Sequence, residues 1–124
     1  MAKHKHYSTV LTATTFDEAI ASHRITLVDF WATWCGPCRS MAPDLELVAK
    51  EAPEDVLIAK VDVDQEAELV KRFGIKSMPT IITFHEGEFH SRFSGAVPAA
   101  GLRQALTDAE KPPRKSLLKS IFGR

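Results

Sequence analysis

The chain has 124 residues, 44% of them hydrophobic and 26% charged, with a formal net charge of zero. That is the size and composition of one globular domain able to bury a core without covalent staples. The zero charge excludes a bulk field that would gather nucleic acid onto the molecule.

The balance is uneven along the chain. Residues 1–110 carry 11 basic against 16 acidic side chains, formally −5. The last fourteen residues hold Lys111, Arg114, Lys115, Lys119 and Arg124 and no acid. In chain order, residues 1–8 read as a loose, polar, basic arm whose His4 and His6 are solvated. No apolar stretch of export-signal length follows, so the expected compartment is the cytoplasm, where thiols are kept reduced. Residues 9–11 read as a short strand. Thr14 or Thr15 is suited to cap a helix over 16–22, with Asp17 and Glu18 in its first turn. Residues 24–31, rich in β-branched and aromatic side chains, form the strongest strand candidate, and so apolar a run suggests a central strand covered on both faces. The longest apolar stretch, 25–32, is short and contains Asp29, so it does not span a bilayer.

Cys35-Gly36-Pro37-Cys38 follows at once and opens a long helix reaching about residue 52. Met41, Leu45, Val48 and Ala49 fall at helical spacing within it, and Pro43 is expected to kink it. Residues 55–62 read as a strand and 65–73 as a helix closing on Gly74. Residues 80–85 and 88–94 read as a hairpin turning at Glu86-Gly87. The last helix spans 97–109, opens with Pro98 and presents Leu102, Ala105 and Leu106 on one face, until Pro112-Pro113 ends regular structure. Strands alternating with helices and finishing in a hairpin predict an α/β fold, a mixed sheet with helices on both faces. The expected organisation is an arm (1–8), one domain (9–110) and a basic tail (111–124).

The only two cysteines lie three positions apart. A disulfide closing so short a loop removes little entropy from the unfolded chain, so the pair makes better sense as chemistry than as a staple. Side chains at i and i+3 on a helix are neighbours, within a small adjustment of disulfide reach. The positions are also unequal. Cys35, at the helix N-terminus, meets unpaired N–H groups and the dipole, which favour a thiolate. Cys38, one turn inside, is expected to be more buried. Cys35 then attacks a substrate disulfide, and Cys38 attacks the resulting mixed disulfide to release the reduced product. Pro37 fixes φ and removes an N–H, and Gly36 leaves Cys35 accessible, so the two are expected to bias the redox potential. A zinc site generally needs four ligands; this pair supplies two, and the five histidines show no paired spacing near it, so no metal is expected.

The segment Val28-Asp29-Phe30-Trp31-Ala32-Thr33-Trp34-Cys35-Gly36-Pro37-Cys38 closely resembles the active-site segment of the thioredoxin family. The resemblance continues through Pro43, residues 59–64, Phe73-Gly74-Ile75 and Met78-Pro79-Thr80 to Gly95-Ala96 and the last helix, over about residues 8–110. It implies a thioredoxin-like fold and a protein-disulfide reductase that needs no cofactor, acts on disulfide-containing client proteins, is regenerated by a thioredoxin reductase and works as a monomer. Pro79 resembles the family's cis-proline. Asp29, an acid interrupting an apolar strand, is expected to have its pKa raised by burial; the resemblance implies that it assists Cys38 as a general base through water, with Lys60 beside it. Trp34, Met78, Gly95 and Ala96 match the apolar rim that receives clients, whereas Trp31 reads as packing. The rival readings are an oxidase or isomerase on the same fold, separated by reduction potential, and a binding module indifferent to loss of Cys35.

The tail departs from the family's compact ends. In residues 115–122 the apolar side chains fall on one helical face, a pattern compatible with an acidic partner or a membrane surface. So short a helix is marginal alone, and a disordered or loosely docked tail is the first expectation.

Overall fold

The computed structural model describes residues 7–113. The arm before Tyr7 and the tail from Arg114 onward, with the amphipathic stretch 115–122, lie outside the described residues. The elements run β1 (Thr9–Val10), α1 (Phe16–Ala21), β2 (Ile25–Trp31), α2 (Gly36–Glu51), β3 (Val56–Asp62), α3 (Ala67–Phe73), β4 (Thr80–His85), β5 (Glu88–Ser94) and α4 (Ala99–Ala109).

The apolar run of β2 makes it the middle strand of a five-stranded sheet ordered β1-β3-β2-β4-β5. β1 and β2 pair with β3 in parallel, and β4 runs antiparallel to both β2 and β5. The mixed sheet expected from the alternation of elements is the one observed. Successive β2 side chains point to opposite faces. Val28 and Phe30 join Phe16, Ile20, Leu69 and Phe84 on the face covered by α1 and α3. Leu27 joins Met41, Leu45, Val48, Ile58, Ile81 and Leu102 on the face covered by α2 and α4. Asp29, two residues after Leu27, therefore points toward α2.

Local signals explain most boundaries. Glu86 and Gly87, both at positive φ (49° and 85°), make the two-residue turn of the β4–β5 hairpin. Gly74 ends α3 in the left-handed conformation at φ 62°. Helix α2 passes unbroken through Pro43, which lies on its exposed side.

The threonine cap expected for α1 does not form. Thr15 stands at the N-cap in a helical rather than extended conformation, so its side chain makes no cap hydrogen bond. Its hydroxyl instead accepts from the Thr12 N–H at 2.9 Å, and the Thr14 hydroxyl pairs with that of Thr12 at 3.0 Å. Two helices start later than their patterns suggest: α3 at Ala67, behind a turn through residues 63–65 and with Glu66 as its N-cap, and α4 at Ala99 with Pro98 as its N-cap. At the N-terminal end, the Tyr7 and Ser8 N–H groups donate to Glu46 of α2 at 2.7 and 2.9 Å. No helix among the described residues is long and apolar enough to cross a membrane.

Candidate active site

β2 ends at Trp31, and α2 begins five residues later with Cys35 as its N-cap. Cys35 has extended backbone (φ −92°, ψ 111°), so its sulfur turns back over the first turn of the helix and accepts the Cys38 N–H at 3.2 Å. Pro37 has no N–H to give at this terminus, and its fixed φ suits the first turn. The cysteines are joined as a disulfide with Cα atoms 5.3 Å apart, within the ordinary range for such a bond. Cys38 is the more buried, but the difference is small: 3% of its surface is exposed, against 6% for Cys35. The inequality between them lies in backbone position more than in exposure.

The Cys35 sulfur lies 3.6 Å from the carbonyl oxygen of Met78. The Met78–Pro79 peptide bond is cis, and Pro79 is buried. The Pro79 carbonyl accepts the Gly95 N–H at 2.9 Å, which ties Gly95 and its exposed neighbour Ala96 to the same edge of the molecule. Gly95 has φ 102°, a conformation that a side chain would strain. Trp34 is 63% exposed, and its indole N–H donates to Asp64 Oδ2 at 2.9 Å.

Behind the cysteines lies a cavity of about 60 Å³ lined by Asp29, Trp31, Cys38, Arg39, Ala42 and Lys60, large enough to admit a water. Asp29 is 2% exposed, and its Oδ1 has no hydrogen-bond partner among the described residues. Burial pushes the Asp29 carboxyl up to about 7, against the opposing pull of the Lys60 charge. A carboxyl tuned to that range can hold or release a proton at neutral pH.

Lys60 is the register partner of Asp29 across β2 and β3 and lines the same cavity, but the contacts of its ammonium are with other groups. Nζ lies 4.9 Å from the centre of the Trp31 ring and 3.9 Å from Glu46 Oε2. Trp31, which reads as packing from sequence, is thus both a wall of the cavity and a seat for the Lys60 cation. Glu46 and Asp64 are the partners that sequence reasoning does not find. Each looks like an ordinary surface acid, and each is far along the chain from the group it touches. Among the described residues no cluster of three histidine, cysteine or acidic side chains is arranged to hold a metal ion.

The Thioredoxin family model matches residues 7–108. Among curated relatives, the thioredoxin of Alicyclobacillus acidocaldarius subsp. acidocaldarius is 44% identical over 98 residues, covering 79% of this chain and 93% of its own length. The bifunctional thioredoxin reductase/thioredoxin of Mycobacterium leprae is 42% identical over 99 residues, covering 80% of this chain and 22% of its own. Among solved structures, Fasciola hepatica thioredoxin superposes with a TM-score of 0.73 at 43% identity, covering 80% of this chain and 96% of that one. A matching family model over most of the chain, and a cysteine pair bonded at the head of α2, make the conclusion plain: the chain belongs to the thioredoxin family and is a thiol–disulfide oxidoreductase that reduces protein disulfides.

Proposed function

We propose that Cys35 is the attacking thiolate, Cys38 the resolving thiol and Asp29 the base that serves Cys38. The observation that carries this reading is the Cys38 N–H donated to the Cys35 sulfur at the N-cap of α2, a hydrogen bond that favours the thiolate at Cys35 over that at Cys38. In the reduced protein, Cys35 Sγ attacks one sulfur of a client disulfide. A Cys35–client disulfide forms, and the client's other sulfur leaves as a thiolate. Cys38 gives its proton to Asp29 through the cavity and attacks Cys35 Sγ. The Cys35–Cys38 disulfide closes, and the client's second sulfur departs with the electron pair. Two electrons pass from the dithiol to the client.

Gly36 and Pro37 bias the potential of the pair, and Lys60 modulates Asp29. The groove formed by Trp34, Met78, Gly95 and Ala96 receives an extended client segment, with backbone of the Met78-Pro79 edge available to pair with it. Residues 9–110 form the working unit, onto which the end of the arm is fastened by the hydrogen bonds of Tyr7 and Ser8 to Glu46, with the basic tail as an appendage, and the protein acts as a cytoplasmic monomer. The similarity to a chain that carries thioredoxin reductase and thioredoxin together supports a thioredoxin reductase as the source of electrons.

The test is reduction of an insulin-like disulfide substrate by wild type, Cys35→Ser and Cys38→Ser. The mechanism requires Cys35→Ser to be inactive and Cys38→Ser to accumulate a covalent adduct with the client, released by added dithiol. Turnover in Cys35→Ser, or no adduct in Cys38→Ser, overturns the assignment.

A further inference from the structure

Two carboxylates compete for the ammonium of Lys60. Asp29 is its register partner on the neighbouring strand, on the same face of the sheet. Glu46 reaches it from α2, and there the contact is made, 3.9 Å from Nζ to Oε2. Both side chains are largely withdrawn from solvent, 17% exposed for Lys60 and 20% for Glu46, so salt screens their attraction less than it would at the surface. Glu46 is itself held in place. Its Oε1 accepts the N–H groups of Tyr7 and Ser8, and its Oε2 accepts the Ser8 hydroxyl. Burial raises its pKa, but the hydrogen bonds from Ser8 and Tyr7 and the Lys60 charge outweigh that and hold it below the usual carboxylate range. Glu46 is therefore a fixed anion at neutral pH.

We propose that Glu46 is a positioning residue for thiol–disulfide exchange: anchored by Tyr7 and Ser8, it holds the Lys60 ammonium off Asp29 and so leaves the Asp29 carboxyl able to take the Cys38 proton. This rests on the role given to Asp29 above. The other charged groups around Asp29 do not supply an alternative cation. Asp29 is the only ionisable residue of β2. On β3, Asp62 lies two positions beyond Lys60, and its Oδ1 accepts the Asp64 N–H at 2.9 Å. On α2, Arg39 lines the cavity, but its guanidinium donates to the Thr33 carbonyl at 2.8 Å. On β4, the register partner of Asp29 is apolar Ile81, and His85 lies opposite Ile25, at the far end of β2. On α4, Arg103 is paired with Glu51 at 2.9 Å. Lys60 is the cation that Asp29 can gain or lose.

The direction of the effect follows. Neutralising Glu46 removes a negative charge near Asp29 and frees Lys60 to move onto it, and both changes favour the ionised carboxylate. Asp29 becomes a weaker base for Cys38. The second change requires Lys60 and the first does not, so a double variant separates them.

The experiment follows the Asp29 carboxyl by ¹³C NMR titration in the oxidised protein, where neither cysteine titrates. Wild type is compared with Glu46→Gln, Lys60→Gln and the double variant. Glutamine keeps the shape of Glu46 and an acceptor for Tyr7 and Ser8. In Glu46→Gln the Asp29 midpoint is expected to fall by about one pH unit, with the pH profile of client reduction moving the same way. In the Lys60→Gln background the Glu46→Gln change is expected to shift Asp29 by less than half as much. An Asp29 midpoint unmoved by Glu46→Gln overturns the inference, as does an equal shift with and without Lys60. The two readings fail separately. An unchanged rate and pH profile in Asp29→Asn removes the role given to Asp29, whatever the titration shows. An unmoved titration removes the role given to Glu46, whatever the rate.

Discussion

Replacing Asp29 by asparagine isolates the cost of burying a carboxyl against α2. In the native protein burial pushes this group up to about 7, with Lys60 opposing, whereas its ordinary value is 3.8. Between those values the native state keeps a proton that the unfolded state has released, so stability falls as pH rises. Below 3.8 both states are protonated and nothing is lost; above about 7 both are ionised and the loss is complete. Each pH unit in the window costs about 1.4 kcal/mol. The full loss is roughly 4 kcal/mol, and about 3 kcal/mol of it falls between pH 5 and pH 8.5. Asparagine does not titrate. It places an amide where Oδ1 has no partner, a cost of about 1–3 kcal/mol that is the same at every pH. The assay is urea unfolding of the oxidised wild type and Asp29→Asn at the two pH values. The variant is expected to gain about 3 kcal/mol on wild type from the lower pH to the higher. A stability difference that stays constant between the two would refute the burial argument and the proton-holding role built on it.

Gly101→Ala tests packing against propensity: alanine ordinarily improves a helix by about 1 kcal/mol, but here its Cβ would lie 2.8 Å from Val97 Cβ. A net destabilisation of about 1–2 kcal/mol is expected in urea unfolding, relieved when Val97 is also made alanine. Trp34→Ala should leave stability within about 1 kcal/mol of wild type, because the ring is mostly solvent-exposed. It should raise KM for a protein disulfide while leaving the rate with a small aromatic disulfide unchanged; equal losses on both substrates would remove Trp34 from the client groove.

The cysteine pair is legible in the sequence because it breaks a local rule, whereas Asp29 stands out as more than a strand aspartate only beside the motif shared with the family. Two cysteines three apart make no sense as a staple, and an acid inside an apolar strand demands a reason. The hairpin at Glu86-Gly87 and the end of α3 at Gly74 were legible because the required φ is carried by the residues themselves. The order of the strands was not legible, since nothing in β1 or β3 states that they pair with each other. Thr15 had the right side chain for a cap and the wrong backbone, because its hydroxyl is taken by the Thr12 N–H. The Trp34–Asp64 bond spans 30 residues and the Ser8–Glu46 bond 38, and both depend on how the finished sheet stacks its helices. Glu46 sits in an unremarkable helical pattern, and only the approach of Tyr7, Ser8 and Lys60 gives it a task.

Sheet register joins the fold to the chemistry more tightly than the motif does. Side chains alternate along β2, so a slip of one residue against β3 and β4 would turn Asp29 to the opposite face. That face holds the packed rings of Phe16, Phe73 and Phe84, with centroids 5.2–6.0 Å apart. A carboxyl there would be buried among aromatic rings and would no longer face Cys38. The observed register places it instead opposite Lys60, behind Cys38, on a wall of the small cavity. Even there the charge costs roughly 4 kcal/mol above neutral pH, a large share of the ~5–15 kcal/mol that holds a domain of this size together. An apolar residue at position 29 would add stability at once. On the role proposed for Asp29, the strand keeps an acid there because a proton acceptor beside Cys38 has to stand where bulk water does not already stabilise its charge, and the centre of the sheet, behind the disulfide, is that location.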